Sequence, residues 1–259
     1  MSEVAYSAVL RSEWTKIRTV ASTSWTLATT LLVTVAMGAG LCAVVNATFE
    51  DMPKASQITF DATQMSFSGM MLGQLAMLVF GAMVVGSEYG TGMVRTSLAA
   101  VPRRGTLLLG KVTVATGLAL VVGLATGFLS FFLGQALLGD HKTALGEENV
   151  LRAVIGVGLY LALLAAFAIG ISMVLRNSAA AISLLITFVL ILPIVLSLVD
   201  ATRKIAAYLP NMAGSAIMQT VASPDSDAPY GPWGGLGIMA LWSLAAIAAG
   251  YLTLAKRDA

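Results

Sequence analysis

The fold class this sequence predicts is an all-α membrane protein with six transmembrane helices, and three observations predict it. Of its 259 residues 58% are hydrophobic and only 11% charged, with a mean hydropathy of +0.86, far from the balance of a soluble globular domain. Six runs contain no Asp, Glu, Lys or Arg, at 25–45, 67–86, 112–138, 153–175, 179–199 and 234–254. Each is about 20 residues or longer, enough for a helix to cross a hydrocarbon core ~30 Å thick. Finally, Lys and Arg fall unevenly between the runs, ten on one side and five on the other. The richer side is expected to be cytoplasmic, which places both termini and the stretch 86–111 there.

The elements follow in order within a single membrane domain, 1–259. In the segment 1–22, Leu10, Trp14, Ile17 and Ala21 recur at spacings of four, three and four, while Arg11, Ser12, Thr15, Lys16 and Arg18 fill much of the remaining surface. That pattern predicts an amphipathic helix lying in the interface plane ahead of the first span. A signal peptide is disfavoured, because the polar lead is long and the apolar run exceeds an h-region. Only Arg176, Asn177 and Ser178 separate the fourth and fifth runs, so these two spans should form a tight antiparallel hairpin.

The external segments 47–66, with Pro53, and 139–149, short and acidic, say little about function. Between Asp200 and Trp233 the sequence is different: Ile205, Tyr208, Leu209, Met212, Ile217, Met218 and Val221 are apolar, with breaks at Pro210 and Pro224. Two readings stand there, re-entrant helices dipping back into the membrane or an external amphipathic lid.

The stretch 86–111, GSEYGTGMVRTSLAAVPRRGTLLLGK, is the longest polar interruption on the basic side. Glu88 follows the second apolar run directly. Gly90 and Gly92 free the backbone to turn, Thr91 can cap the next turn, 93–101 reads as a short helix, and Pro102 stops it ahead of Arg103 and Arg104. The stretch is either a short helix at the membrane surface or a polar loop held to anionic lipid by its arginines. Lys111 reads as an interfacial anchor.

Few residues suggest chemistry on this chain. Gly105 to Lys111 satisfies Gly-x-x-x-x-Gly-Lys, but Val112 stands where a magnesium-binding Ser or Thr is needed and no strand precedes it, so the match is accidental and the chain is not expected to bind ATP. Cys42 is the single cysteine and His141 the single histidine, which leaves no basis for an internal disulfide, a metal centre or a His-based relay. His141 reads as a solvated loop residue. Asn46 and Thr48 form a glycosylation sequon to which no meaning attaches without a eukaryotic context. A net charge of +2 with scattered charges argues against nucleic acid as a partner.

Within the spans Gln74 and Gln135 are the main polar groups able to line a path, though for Gln74 an interhelical hydrogen bond is an equal reading. Gly69 with Gly73 and Gly123 with Gly127 have the small-x-x-x-small spacing that permits close helix approach.

Arg11, Ser12, Glu13, Trp14, Thr15, Lys16, Ile17, Arg18 and Thr19 precede the first span, Glu88, Tyr89, Gly92 and Arg95 follow the second, and the chain returns through Pro102, Arg103 and Arg104 to Lys111. In this order they resemble the permease subunits of ABC-2-type transporters, in a form common in actinobacteria, over essentially the whole chain. The resemblance implies an elbow helix containing Trp14, Lys16 and Arg18, and a cytoplasmic coupling helix in the region of Glu88, Tyr89, Gly92 and Arg95.

It also implies a separate cytoplasmic ATPase dimer that carries ATP and Mg, a second permease subunit, identical or different, across the transport path, and a place in the bacterial plasma membrane. No catalytic residue, metal or cofactor is then expected on this chain. The family is mostly exporters, of varied cargo. Two other classes stand beside export. One is a sensor or assembly subunit that recruits an ATPase without transporting; the other is a membrane-embedded enzyme, which would need converging acids, a His or an activated Ser.

Overall fold

The computed structural model describes residues 6–221 and 229–256. Glu3, Pro224, Asp225, Asp227, Arg257 and Asp258 lie outside the described residues. No strand occurs among the described residues, and six helices are long and apolar enough to cross a membrane.

Helix α1, Tyr6–Thr19, is separated from α2, Ala21–Thr48, only by Val20 in an extended conformation. A 3-10 turn, α3 (Lys54–Ile58) and α4 (Ala62–Ser66) follow. Helix α5, Met70–Thr91, leads to the short α6, Met93–Ala100, and then to α7, Arg104–Leu137. At 34 residues α7 is about 50 Å long, so its first two turns extend the third span well before the apolar run at 112.

Helix α8, Val150–Leu175, turns at Arg176 (φ 54°) into the fifth span, forming the expected hairpin. The Asn177 side chain accepts a 3.0 Å bond from the Ala180 N–H and so caps that span.

The fifth span comprises α9 (Ser178–Ile186), a π-helical stretch Thr187–Ile191 and α10 (Leu192–Ser197). Pro193 has no N–H to give and its ring crowds the preceding turn; the wider π register, in which the Leu192 N–H reaches Thr187 O, absorbs it. Helices α11 (Asp200–Ala207) and α12 (Pro210–Ser215) and a 3-10 turn precede α13, Pro232–Lys256.

Helix α8 is the hub. Of its most apolar window 72% is buried inside the bundle, against 28% for the first, third and sixth spans and 22% for the fifth. It packs on α5, α7, α9 and α13. Lipid tails offer helices no hydrophobic driving force for association, so close packing of small residues must supply it. A Cβ at Gly123 would come within 2.9 Å of Gly158 Cα on α8, and one at Gly127 within 2.5 Å of Val154 O. Gly69 and Gly73 face Thr34 of α2 with no room for a side chain. Both glycine pairs therefore mark helix contacts.

Between the fifth and sixth spans the chain enters the bundle. Pro210, Ala213, Gly214, Ile217 and Met218 are buried, and a Cβ at Gly214 would touch the Tyr160 ring. Tyr160 is ten residues into α8, about 15 Å from its start, so this segment re-enters rather than floating as a lid. The end of the bundle it enters is held by Arg152 Nη2 on Gln219 O at 2.7 Å and by a hydrogen bond from Thr220 to Asp61. His141 is there too, half-buried in the turn after α7 and stacked on Phe49 with ring centroids 3.6 Å apart.

The packing yields a test. Gly123→Leu should force α7 from α8 and destabilise the protein by about 1–3 kcal/mol, the usual range for overpacking, read as a lowered midpoint of thermal unfolding in detergent. An unchanged midpoint would mean that the two helices are not in contact.

Candidate functional site

At the end of the bundle opposite the re-entrant segment, four charged side chains close into a ring. On α1, Glu13 and Lys16 are three residues apart and so share a face, with Lys16 Nζ 2.7 Å from Glu13 Oε1. Lys111 of α7 reaches Glu13 Oε2 at 2.7 Å and Glu88 Oε1 at 2.8 Å; Lys16 reaches the same Glu88 oxygen at 2.9 Å. Each carboxylate thus meets both ammonium groups, and the ring Lys16–Glu13–Lys111–Glu88 is formally neutral. Lys16 also donates to Ser97 Oγ of α6 at 3.2 Å, and Lys111 to Val84 O at 3.4 Å. Four helices, α1, α5, α6 and α7, meet at this point.

Burial gives the ring its energetic weight. Glu13 is 1% exposed and Glu88 and Lys111 are 4% exposed; the Lys16 side chain, at 22%, is the one that reaches toward solvent. Burial alone would pull the Lys16 ammonium below its ordinary value, but hydrogen bonds and charge from Glu13 and Glu88 outweigh it and the group is held above 10.5. A solvated ion pair contributes under about 1 kcal/mol, whereas removing one partner of a buried pair costs about 3–5 kcal/mol, because a charge is stranded.

Around the ring, arginines gather the remaining helix ends. Arg104 donates to Leu254 O and Ala255 O, and Arg176 to Thr253 O. These cations meet the last carbonyls of α13, where the helix dipole favours positive charge. The Arg176 guanidinium also lies over the Tyr89 ring, 5.4 Å from its centroid. The ends of α5, α8 and α13 and the start of α7 are thereby drawn together with α1.

The residues singled out from sequence are placed as follows. Glu88 and Lys16 belong to the ring and Tyr89 to the arginine contact. Gly92, at φ 73°, is the left-handed residue between α5 and α6. Arg95 is exposed on α6, and Trp14 and Arg18 are exposed on α1. Gln74 Oε1 accepts a 2.6 Å bond from the Tyr160 hydroxyl, joining α5 to α8. Gln135 is buried; its amide donates to Ala62 O and Ser66 Oγ at 2.9 and 3.0 Å and its oxygen accepts from Thr143 N at 2.6 Å, so it tethers α4 and the following loop to α7.

Three local expectations are corrected. Lys111 is no interfacial anchor: because α7 begins at Arg104, Lys111 lies two turns inside the helix and turns inward to the ring. Gly90 does not contribute to a turn; α5 runs through it and Gly92 makes the turn alone. Thr91 does not cap α6, since its hydroxyl donates back to Ser87 O at 2.9 Å. The buried face of α1 is Val9, Glu13 and Ile17, at spacings of four, while Trp14 is 48% exposed.

The apolar stripe through Leu10 and Trp14 therefore does not point into the protein. Missed altogether were the ring positions of Glu13 and Lys111 and the bond from Lys16 to Ser97. A signal existed for Glu13, since an acid and a base three apart on one helix can pair, but nothing local shows what lies opposite them.

A bundle of six apolar helices, with a ring of buried charges at one end, defines a multi-pass helical membrane protein. The family model described as ABC-2 family transporter protein matches residues 9–194, and the chain belongs to that family, whose members are permease components of ABC transporters and generally work with an ATPase subunit. All four ring residues fall within the matched span. No curated protein matches the chain.

The ring makes a sharp prediction about stability. Lys111→Met should cost about 3–5 kcal/mol by stranding carboxylate charge. Adding Glu88→Gln should recover more than half of this, since Glu13 and Lys16 would remain as a neutral pair. Denaturation of the single and double variants in detergent measures both. A single-variant cost under about 1 kcal/mol would mean that water reaches the ring.

Proposed function

We propose that the chain is the permease subunit of an ATP-driven exporter and that a separate cytoplasmic ATPase docks on α6 and its flanks. The observation that carries this reading is the attachment of α6. A short amphipathic helix with Arg95 exposed is tied through Ser97 and Lys16 to a ring that also holds α1, α5 and α7. A push on α6 would reach three other helices through charge-assisted bonds rather than through a loose loop. Under this reading α1 is the elbow helix, Glu88, Tyr89, Gly92 and Arg95 form the coupling region, ATP and Mg are held by the partner, and this chain performs no chemistry of its own. A second permease subunit completes the path, and the protein sits in a bacterial plasma membrane.

The orientation belongs to the same proposal, and the distribution of basic residues supports it: Lys16, Lys111, Arg104 and Arg176 cluster at the end of the bundle assigned to the cytoplasm. Single cysteines at Ala99 and Ala144, both exposed, in a Cys42→Ala background should be labelled by an impermeant maleimide from opposite sides of the membrane. Labelling of the Ala99→Cys variant from outside intact cells would overturn the orientation.

The coupling role is tested with the partner present. A nucleotide-binding subunit should co-purify with the chain in mild detergent, and Arg95→Ala should lower its stimulated hydrolysis and cargo export in proteoliposomes about tenfold, equivalent to about 1.4 kcal/mol, without changing expression or unfolding. Glu88→Gln should lower both stability and export. Normal export by the Arg95 and Glu88 double variant would remove α6 from the mechanism. Stimulated hydrolysis with no cargo movement across a range of substrates would favour the recruiting subunit instead.

A further inference from the structure

On the side of α1 turned away from the ring, an open groove of about 460 Å3 runs between α1 and α7. Leu10, Arg11 and Trp14 form one wall; Val114, Gly117 and Val121 are the main residues of the other. The hydroxyls of Tyr6 and Thr113, 3.1 Å apart, bridge the two helices beside it. A Cβ placed on Gly117 would meet nothing within 4 Å, so the floor is open because no side chain fills it. Val121 is ten residues beyond Lys111 on α7, about 15 Å deeper along the helix. The groove thus leads from the level of the charged ring into the depth of the hydrocarbon.

Its chemistry has two parts. Apart from Arg11 and Thr113 the lining is apolar, and at that depth only hydrocarbon can occupy it without cost. At the rim Arg11 is exposed and presents a planar fork of donors that matches a phosphate. The only acid of α1, Glu13, points the opposite way and is matched by Lys16 and Lys111. Arg18, seven residues on, is two turns along the same face, and Trp14 between them has the amphipathic ring that settles at the headgroup level. An apolar trough with a guanidinium at its mouth is complementary to a molecule carrying an anionic head on a hydrocarbon tail.

We propose that this groove binds one anionic phospholipid, with its phosphate on Arg11 and an acyl chain along Gly117 and Val121, and that the bound lipid packs α1 against α7. The site does not depend on the export reading, since it needs only that α7 spans the membrane.

The test uses the full-length chain, purified in mild detergent, exchanged into phosphatidylglycerol or phosphatidylcholine, and examined by native mass spectrometry under graded activation. The wild type should retain one phosphatidylglycerol per chain in preference to phosphatidylcholine. Arg11→Gln should reduce that preference about fivefold, the factor given by about 1 kcal/mol per basic group at an anionic surface, and Arg11→Lys should restore part of it. Gly117→Leu, which has room to fold, should lower retention of both lipids by filling the floor.

Excess glycerol 3-phosphate should fail to displace the lipid, because the chain contributes to binding. Three results would overturn the proposal: wild-type retention in both Arg11→Gln and Gly117→Leu, displacement by glycerol 3-phosphate alone, or efficient cross-linking of Gly117→Cys between copies, which would place a second protein chain in the groove.

Discussion

Four paired charges, three of them buried, constrain this end of the molecule more than any other interaction. Glu13, Lys16, Glu88 and Lys111 are tolerable there because their charges match: each carboxylate meets both ammonium groups, and any three would leave an unmatched charge in a low-dielectric site. The ring consequently sets the rotation of α1, the end of α5 and the facing of α7. With Glu13 turned inward, Trp14 and Arg11 must turn outward, so one set of ion pairs determines what the surface of α1 offers to the membrane.

The middle of the bundle is held in another way. Around α8, glycines let backbones approach to within contact distance, and a few polar tethers join the helices: the Tyr160 hydroxyl on Gln74, Ser172 Oγ on Ala82 O at 2.9 Å, and Ser243 Oγ on Leu163 O at 2.9 Å. The fifth span is the exception. It is the least covered of the six and carries a π stretch ahead of Pro193, so its helix is locally wider where the rest are regular. A tightly packed hub, a loosely covered fifth span and a charged clasp at one end make unequal mechanical elements, which suits a protein whose proposed task is to convert movement at one membrane face into rearrangement of its spans.

Much of the fold was legible in the sequence because hydropathy is a local property. Each of the six runs free of charge lies largely on one of the six long helices; the hairpin at Arg176 followed from the three residues that separate two runs, and Gly92 and Pro102 bracketed the short helix, while the inward dip before the last span was one of two readings the sequence left open. Helix ends were less legible. Gly90 is followed within two residues by Gly92, and only the backbone shows that the helix passes through the first and stops at the second; α7 begins at Arg104 because nothing in that polar stretch forbids a helix, although an apolar run begins only at 112.

The candidate site divides along the same line. From sequence alone the chain is a multi-pass helical membrane protein with a basic surface stretch after its second span, since these depend on composition, spacing and neighbours a few residues away. Which charges pair was decided by the tertiary structure: Glu88 lies 72 residues from Lys16, and Lys111 lies 98 from Glu13. Counted one by one along the chain, Glu88 reads as an exit residue and Lys111 as an anchor. Whether a charge at a membrane face is solvated or buried depends on how each helix is rotated about its own axis. That rotation is set by the packing of α1, α5 and α7 together, a property that no single segment contains.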